Sequence, residues 1–212
     1  MNTKIRLPKI FWIVGITLVL LSSVTTGAAA APAGGAVLPP GATPFGNSLT
    51  DAAAATAYFN TGTRELNTLP EDFPLQILYV IPLDGSTDFS VEEGTMFYVP
   101  VVYSDDTDAA YWPYPDVTDP AAVSDYYFSP EQLGAEFIKI VVDGKEFELG
   151  PKYAVGAETP GLPTGGNNYT VVAAFLTPLS KGVHSVTIAA RLSGAFIGGV
   201  FEFEIPYTIT VE

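Results

Sequence analysis

The stretch Val200–Val211 alternates without a break, with Phe201, Phe203, Ile205, Tyr207, Ile209 and Val211 on one parity and Glu202, Glu204, Pro206, Thr208 and Thr210 on the other. Side chains of an extended chain point to opposite faces with a period of two, so one face meets an apolar core and the other stays wet. A helix, with a period near 3.6, would scatter the same residues around its axis. Val183–Leu192 repeats the pattern, setting Val186, Ile188, Ala190 and Leu192 against Ser185, Thr187 and Arg191. Ile138, Ile140 and Val142 run into Asp143-Gly144, and Lys145–Leu149 follow. Asp-Gly between two such runs predicts a tight hairpin, because a type I′ turn needs positive φ at both central residues. Further strands are expected over 75–81, 89–91, 96–103 and 169–176. With 20 Gly and 18 Pro and no strong helical pattern between these runs, the expectation is an all-β fold, an antiparallel sandwich of about seven strands.

Ahead of this region the chain changes character twice. Residues 1–30 carry Lys4, Arg6 and Lys9, then the apolar run Phe11–Leu21, then small residues ending in Ala28, Ala29 and Ala30. That order predicts a secretory signal peptide cut after Ala30. The apolar run falls short of the roughly 20 residues that span a bilayer, which argues against a retained anchor and against membrane insertion after cleavage. Residues 31–47 are almost all Ala, Gly, Pro and small polar residues, so the 31–70 segment is expected to be a flexible linker. Within it, Thr50 and Asp51 precede the helix formers Ala52–Phe59 and predict one short helix. Phe59, Leu66, Leu69 and Phe73 offer apolar groups that would let this segment pack on the β region, assigned to residues 71–212.

Composition removes several function classes. The absence of cysteine leaves no disulfide, thiolate nucleophile, zinc knuckle or Cys-borne lipid anchor. Loss of the signal segment leaves six basic residues against 23 acidic ones, a formal charge of −17. Such a chain repels phosphate backbones and anionic lipid, which argues against a nucleic-acid partner. The chain has no phosphate-binding glycine loop, no Gly-x-Ser-x-Gly and no His-Glu-x-x-His.

Three stretches carry a resemblance. Val91-x-x-Gly94-Thr95-x-Phe97-x-Val99-x-Val101 resembles the turn into the second strand of immunoglobulin-like sandwiches, and Val141-Val142-Asp143-Gly144-Lys145 resembles their third-strand hairpin. Leu179-x-x-Gly182-x-His184-x-Val186-x-Ile188 is similar to the corner before their sixth strand, with His184 where a tyrosine often stands. The resemblance is to the broad group of bacterial secreted immunoglobulin-like domains. It implies that Val101 and Val186 face each other across the core, where antibody domains have their cysteines, and that the role is adhesive, spacing or accessory. Pro100 lies inside one of these strands and cannot donate a ladder hydrogen bond, so that strand should be an edge or carry a bulge.

The candidate site is the insertion at 104–130. Asp105, Asp106 and Asp108 open it as possible hard-cation ligands, with calcium the candidate cofactor, although the spacing lacks the Gly and Glu of an EF-hand loop. Tyr111, Trp112, Tyr114, Tyr126 and Tyr127 follow, aromatic faces of the kind that stack on sugar rings. The competing reading folds these rings back as a lid on the core. A loop this long without evident secondary structure points to function. His184, the sole histidine, is expected to be structural, packed at its corner and hydrogen-bonded to backbone. Asn168-Tyr169-Thr170 matches a glycosylation sequon.

The expected function is therefore a non-catalytic binding or structural module, secreted to the periplasm or the extracellular space. Its partner would be an extracellular protein or glycan. The first alternative is a carbohydrate- or calcium-binding accessory domain using the insertion, and the second is an acid–base hydrolase, for which no carboxylate pair can be singled out.

Overall fold

The computed structural model describes residues 34–61, 69–70, 72–78, 87–107 and 113–212. The expected signal peptide lies outside the described residues. The described chain is mostly β, with nine strands: β1 (Gln76–Ile77), β2 (Asp88–Val91), β3 (Phe97–Asp105), β4 (Ala135–Val142), β5 (Lys145–Glu148), β6 (Ala154–Glu158), β7 (Asn168–Leu176), β8 (Gly182–Leu192) and β9 (Phe201–Val211). Two helices, α1 (Leu49–Thr61) and α2 (Pro120–Phe128), accompany them. A four-stranded sheet has the order β1-β3-β7-β6 and a five-stranded sheet the order β2-β9-β8-β4-β5. Both sheets are mixed. β1 runs parallel to β3, and β2 runs parallel to β9. This corrects the expectation of purely antiparallel pairing, since the two short strands enter at the sheet edges in the direction of their neighbours.

The alternating strands behave as their pattern requires. β8 and β9 form an uninterrupted antiparallel ladder from Gly182 opposite Val211 to Leu192 opposite Phe201. Val186, Ile188, Ala190 and Leu192 join Tyr207, Ile209 and Val211 in a core shared with Val99, Val101, Val172, Ala174 and Leu176 of the other sheet. Val101 and Val186 thus lie in one core and are both fully buried. β4 turns into β5 through Asp143 and Gly144, whose φ values of 49° and 82° give the two left-handed residues that the hairpin demands. Pro100 sits in the interior of its sheet, and the ladder to β7 shifts register between Pro100 and Val102. The missing N–H is accommodated by a bulge.

The four-stranded sheet is covered on both faces, which explains why β7 (NYTVVAAFL) reads as a nearly continuous apolar run. Its outer face meets α1, where Leu49, Ala52, Ala53 and Ala57 pack with Tyr98, Tyr169, Val171, Ala173 and Phe175. Small alanines let the helix approach closely, and burial of Leu49 contributes roughly 1.5–3 kcal/mol. The helix begins one turn ahead of the expected signal. Ser48 and Asp51 cap each other, with Ser48 N and Oγ donating to Asp51 Oδ2 at 2.9 and 2.6 Å, and Asp51 N donating to Ser48 Oγ at 3.1 Å.

Two connecting segments make contacts that their composition does not show. The described part of the expected linker, from Gly34 onward, lies along the end of β7: Val37 bridges Leu176, Leu38 N donates to Phe175 O at 2.9 Å, and Thr177 N donates to Ala36 O at 2.9 Å. A run with little bulk still carries backbone donors and acceptors, and β7 extends beyond β6 to receive them. The insertion, expected to lack secondary structure, contains α2. Asp119 accepts from Ala121 N at 2.9 Å as N-cap and Pro120 fills the first turn.

Candidate functional site

The insertion converges on a cluster of hydroxyl groups beneath it. Ser104 at the end of β3 and Thr170 near the start of β7 come from neighbouring strands, paired directly in the ladder. Tyr114 arrives from the chain ahead of α2, and Tyr126 and Tyr127 from its last turn. Tyr114 Oη donates to Ser104 O at 2.9 Å and lies 3.0 Å from Thr170 Oγ1. Tyr127 Oη lies 3.0 Å from Thr170 Oγ1, and Ser104 Oγ lies 3.1 Å from both Tyr126 Oη and Thr170 Oγ1.

One acceptor fixes the direction of every bond. A carbonyl only accepts, so Tyr114 gives its single proton to Ser104 O. Thr170 must then donate to Tyr114, which leaves its own oxygen to accept from both Tyr127 and Ser104. Ser104, having spent its proton on Thr170, accepts from Tyr126. Five hydroxyl protons make five bonds. Closure of this kind is what a buried polar group needs, since an unmet hydroxyl costs roughly 1–3 kcal/mol.

Burial dominates the electrostatics. Desolvation pushes Tyr114 and Tyr127 well above the usual tyrosine range, with the bonds to Thr170 and Ser104 only partly offsetting it. Both rings stay neutral, and the cluster presents no nucleophile or base to solvent. Tyr126 and Tyr127 are fully buried and meet edge to face at 5.3 Å, while Tyr114 packs on Tyr126 at 5.4 Å. These three candidate ligand-binding residues therefore do not form an exposed platform, because the energy of burying large rings exceeds what solvent exposure would return. Tyr111 and Trp112 lie outside the described residues.

The acidic candidates are engaged as well. Asp106 Oδ1 accepts from the backbone N–H of Asn167 at 2.8 Å and of Asn168 at 3.2 Å, and its Oδ2 accepts from Asn168 Nδ2 at 2.7 Å. Asp105 Oδ1 accepts from Thr107 N at 2.9 Å and also from the Thr107 hydroxyl. Asp108 lies outside the described residues. Among the described residues no three His, Cys, Asp or Glu side chains gather as a metal group. Asn168 is half-buried with its amide held by Asp106, and Thr170 of the same sequon is fully buried.

His184 is buried at the β8 corner, as expected, with one partner that the sequence reading did not foresee. Its Nδ1 lies 2.7 Å from Asp143 Oδ2, and its Nε2 lies 2.7 Å from Ser180 O. A shallow groove of about 300 Å³ runs beside β6, lined by Thr50, Val117, Thr118, Pro120 and the strand itself. Val117 closes over Gly156 there, where a Cβ would stand 2.6 Å from Val117 O. No helix among the described residues is long and apolar enough to cross a membrane.

Ser104 and Thr170 were missed in the sequence. The available signal was one hydroxyl embedded in the apolar run Tyr169–Leu176, a position where a polar group must have a partner.

No family model matches the chain, and no curated protein matches it. Among solved structures, the solution structure of Amebosin is similar over 66% of this chain and 99% of that one, at 11% identity and a TM-score of 0.29. A likeness of that degree carries nothing about fold or function.

Proposed function

We propose that the protein is a secreted, non-catalytic module with an immunoglobulin-like sandwich fold, serving as a spacing or binding element in the periplasm or outside the cell. The insertion acts in it as a structural cap. The observation that carries this reading is the consumption of the insertion's described functional groups by internal bonds: three tyrosines close the hydroxyl cluster, and Asp106 spends both carboxylate oxygens on Asn167 and Asn168. The fold reading is supported by strand order. Lettering β1 as A, β3 as B, β4 as C, β5 as C′, β6 as D, β7 as E, β8 as F and β9 as G turns the sheets into A-B-E-D and G-F-C-C′, the arrangement of such sandwiches, with β2 added as a fifth strand beside G. The parallel entry of β1 beside β3 is a departure from the usual pairing.

The test expresses the full chain, reads the N-terminus of the exported product and measures its melting temperature with calcium, with EDTA and with a panel of polysaccharides. Export with a cut near Ala30, and a melting temperature indifferent to calcium and glycan, is the expected result. Stabilisation by calcium that disappears in Asp106→Asn would move the assignment to a calcium-dependent accessory domain. Turnover of any polysaccharide would move it to a hydrolase.

A further inference from the structure

The contacts of His184 contain more protons than a neutral imidazole can supply. The ring is buried, its side chain 1% exposed, and each nitrogen faces an oxygen at 2.7 Å. The Ser180 hydroxyl also lies 3.4 Å from Nε2, but the nearer Ser180 O at 2.7 Å is a carbonyl and only accepts, so Nε2 carries a hydrogen. Asp143 Oδ2 belongs to a carboxyl group, so a hydrogen must also lie between it and Nδ1. Neutral imidazole beside carboxylate is one proton short. Asp143 Oδ1 accepts from Ser185 N at 2.9 Å, which leaves Oδ2 as the oxygen that meets Nδ1.

The pair holds three segments together. Asp143 anchors the β4–β5 turn to β8 through its carboxylate and through its own N–H, which donates to Ser185 O at 2.8 Å. Ser180 belongs to the loop 177–181 before β8, and that loop is gripped from its other side by the N-terminal segment. Gly35 N donates to Pro178 O at 3.3 Å, Ala36 N to Thr177 Oγ1 at 2.8 Å and Thr177 N to Ala36 O at 2.9 Å. A Cβ on Gly34 would stand 2.7 Å from Ser180 N, so the contact is close enough to sense the loop's position. The other element beside the ring, β9, brings Ile209 opposite His184. Lys181 follows Ser180 in the chain but is exposed.

We infer that His184 and Asp143 form a proton-loaded latch, an imidazolium–carboxylate pair whose extra proton holds the 177–181 loop in place and thereby keeps residues 34–38 docked on β7. Removing the proton sets Nδ1 and the carboxylate, two acceptors, against each other at 2.7 Å. The latch then loses its bond on the Asp143 side, and the loop its fixed point.

The chain has one histidine, so nitrogen NMR of 15N-histidine-labelled protein at neutral pH reads the site without overlap. The expected result is two protonated, pyrrole-type ring nitrogens. One pyridine-type nitrogen would overturn the inference. Asp143→Asn supplies the second arm, because asparagine tolerates the left-handed turn position and still accepts from Ser185 N. Its amide N–H₂ then faces Nδ1, so the ring should become the neutral Nε2–H tautomer with a pyridine-type Nδ1. Asp143→Gly keeps the left-handed turn and removes the partner of Nδ1, and in it amide exchange at Leu38 and Thr177 should accelerate about tenfold. Unchanged exchange there would refute the coupling to the N-terminal segment. If either variant does not fold, the nitrogen signals of the unaltered protein still decide the proton count.

Discussion

Replacing Thr170 by valine tests whether the hydroxyl cluster holds the insertion down. Valine keeps the shape and β-branching of threonine and removes the oxygen at the centre of the network. Three bonds are lost, to Ser104 at 3.1 Å and to Tyr114 and Tyr127 at 3.0 Å each. Ser104 and Tyr114 keep another partner, in Tyr126 and the Ser104 carbonyl. Tyr127 fares worst, because it is fully buried and the other hydroxyl beside it, Ser104, is already bonded to Tyr126. One poorly satisfied phenol costs about 1–3 kcal/mol and the two weakened partners add a few tenths each, so the sum is about 2–4 kcal/mol. Urea unfolding followed by circular dichroism reads this directly, and an unchanged slope would show that the folded and unfolded surfaces are the same. Tyr127→Phe completes a double-mutant cycle. With both partners gone the hydroxyl debt disappears, so the double variant should be more stable than the sum of the singles predicts, by about 1–2 kcal/mol. A Thr170→Val cost below about 0.5 kcal/mol, or an additive cycle, would refute the claim that these bonds secure the insertion.

Three further outcomes follow from the same contacts. Tyr98 is fully buried and its hydroxyl makes no hydrogen bond of adequate geometry, although Thr56 lies beside it. Tyr98→Phe should therefore leave stability unchanged or raise it by about 1 kcal/mol, the opposite of Thr170→Val, and a clear loss in urea unfolding would show a partner at that hydroxyl. Burial holds Tyr98, Tyr114, Tyr127 and Tyr169 above the ordinary tyrosine value of 10.0. The folded state thus keeps protons that the unfolded chain releases, so their contribution is intact below pH 10 and is lost as the pH climbs beyond it. Tyrosinate absorbance from these four rings should appear together with unfolding, whereas gradual ionisation of all tyrosines with the fold intact would contradict their burial. Asp106→Asn turns one acceptor into a donor facing Asn168 Nδ2, now bonded at 2.7 Å. It should cost about 1–2 kcal/mol, or roughly 2–8 °C in melting temperature, and a wild-type melting curve would show that this bond does not hold the 159–167 loop.

The parts of the fold visible in the sequence are those whose two faces differ. β8, β9 and β4 each turn one side to the core and one to water, so their parity carries the assignment, and Asp143-Gly144 carries the turn. β3 and β7 are covered on both faces, and a strand apolar on every residue shows its presence but not its orientation or its neighbours. What covers the second face, α1, is predicted as a short helix from Thr50, Asp51 and the alanines that follow, but the place where it docks is not. Nothing in Ala52, Ala53 and Ala57 says that they replace larger side chains to let a helix sit on Tyr98 and Phe175. The edge strands β1 and β2, of two and four residues, are too short to show a period and take their parallel direction from the ladders they join.

The insertion was legible in composition and not in geometry, and the reason lies in what a tyrosine can do. A ring with a polar tip is equally suited to stack on a sugar and to close a buried hydroxyl network, and only the position of its partners decides between them. Those partners, Ser104 and Thr170, are 66 residues apart and become neighbours only when β3 and β7 pair. Asp119-Pro120 is the local exception. Read as an N-cap and first-turn proline it predicts α2, which in turn sets Tyr126 and Tyr127 on adjacent positions of a last helical turn and drives both toward the sheet. From that cap, burial of the pair follows from helix geometry alone: Val123 lies three positions before Tyr126 and four before Tyr127, one apolar stripe on a helix too short to stand without packing.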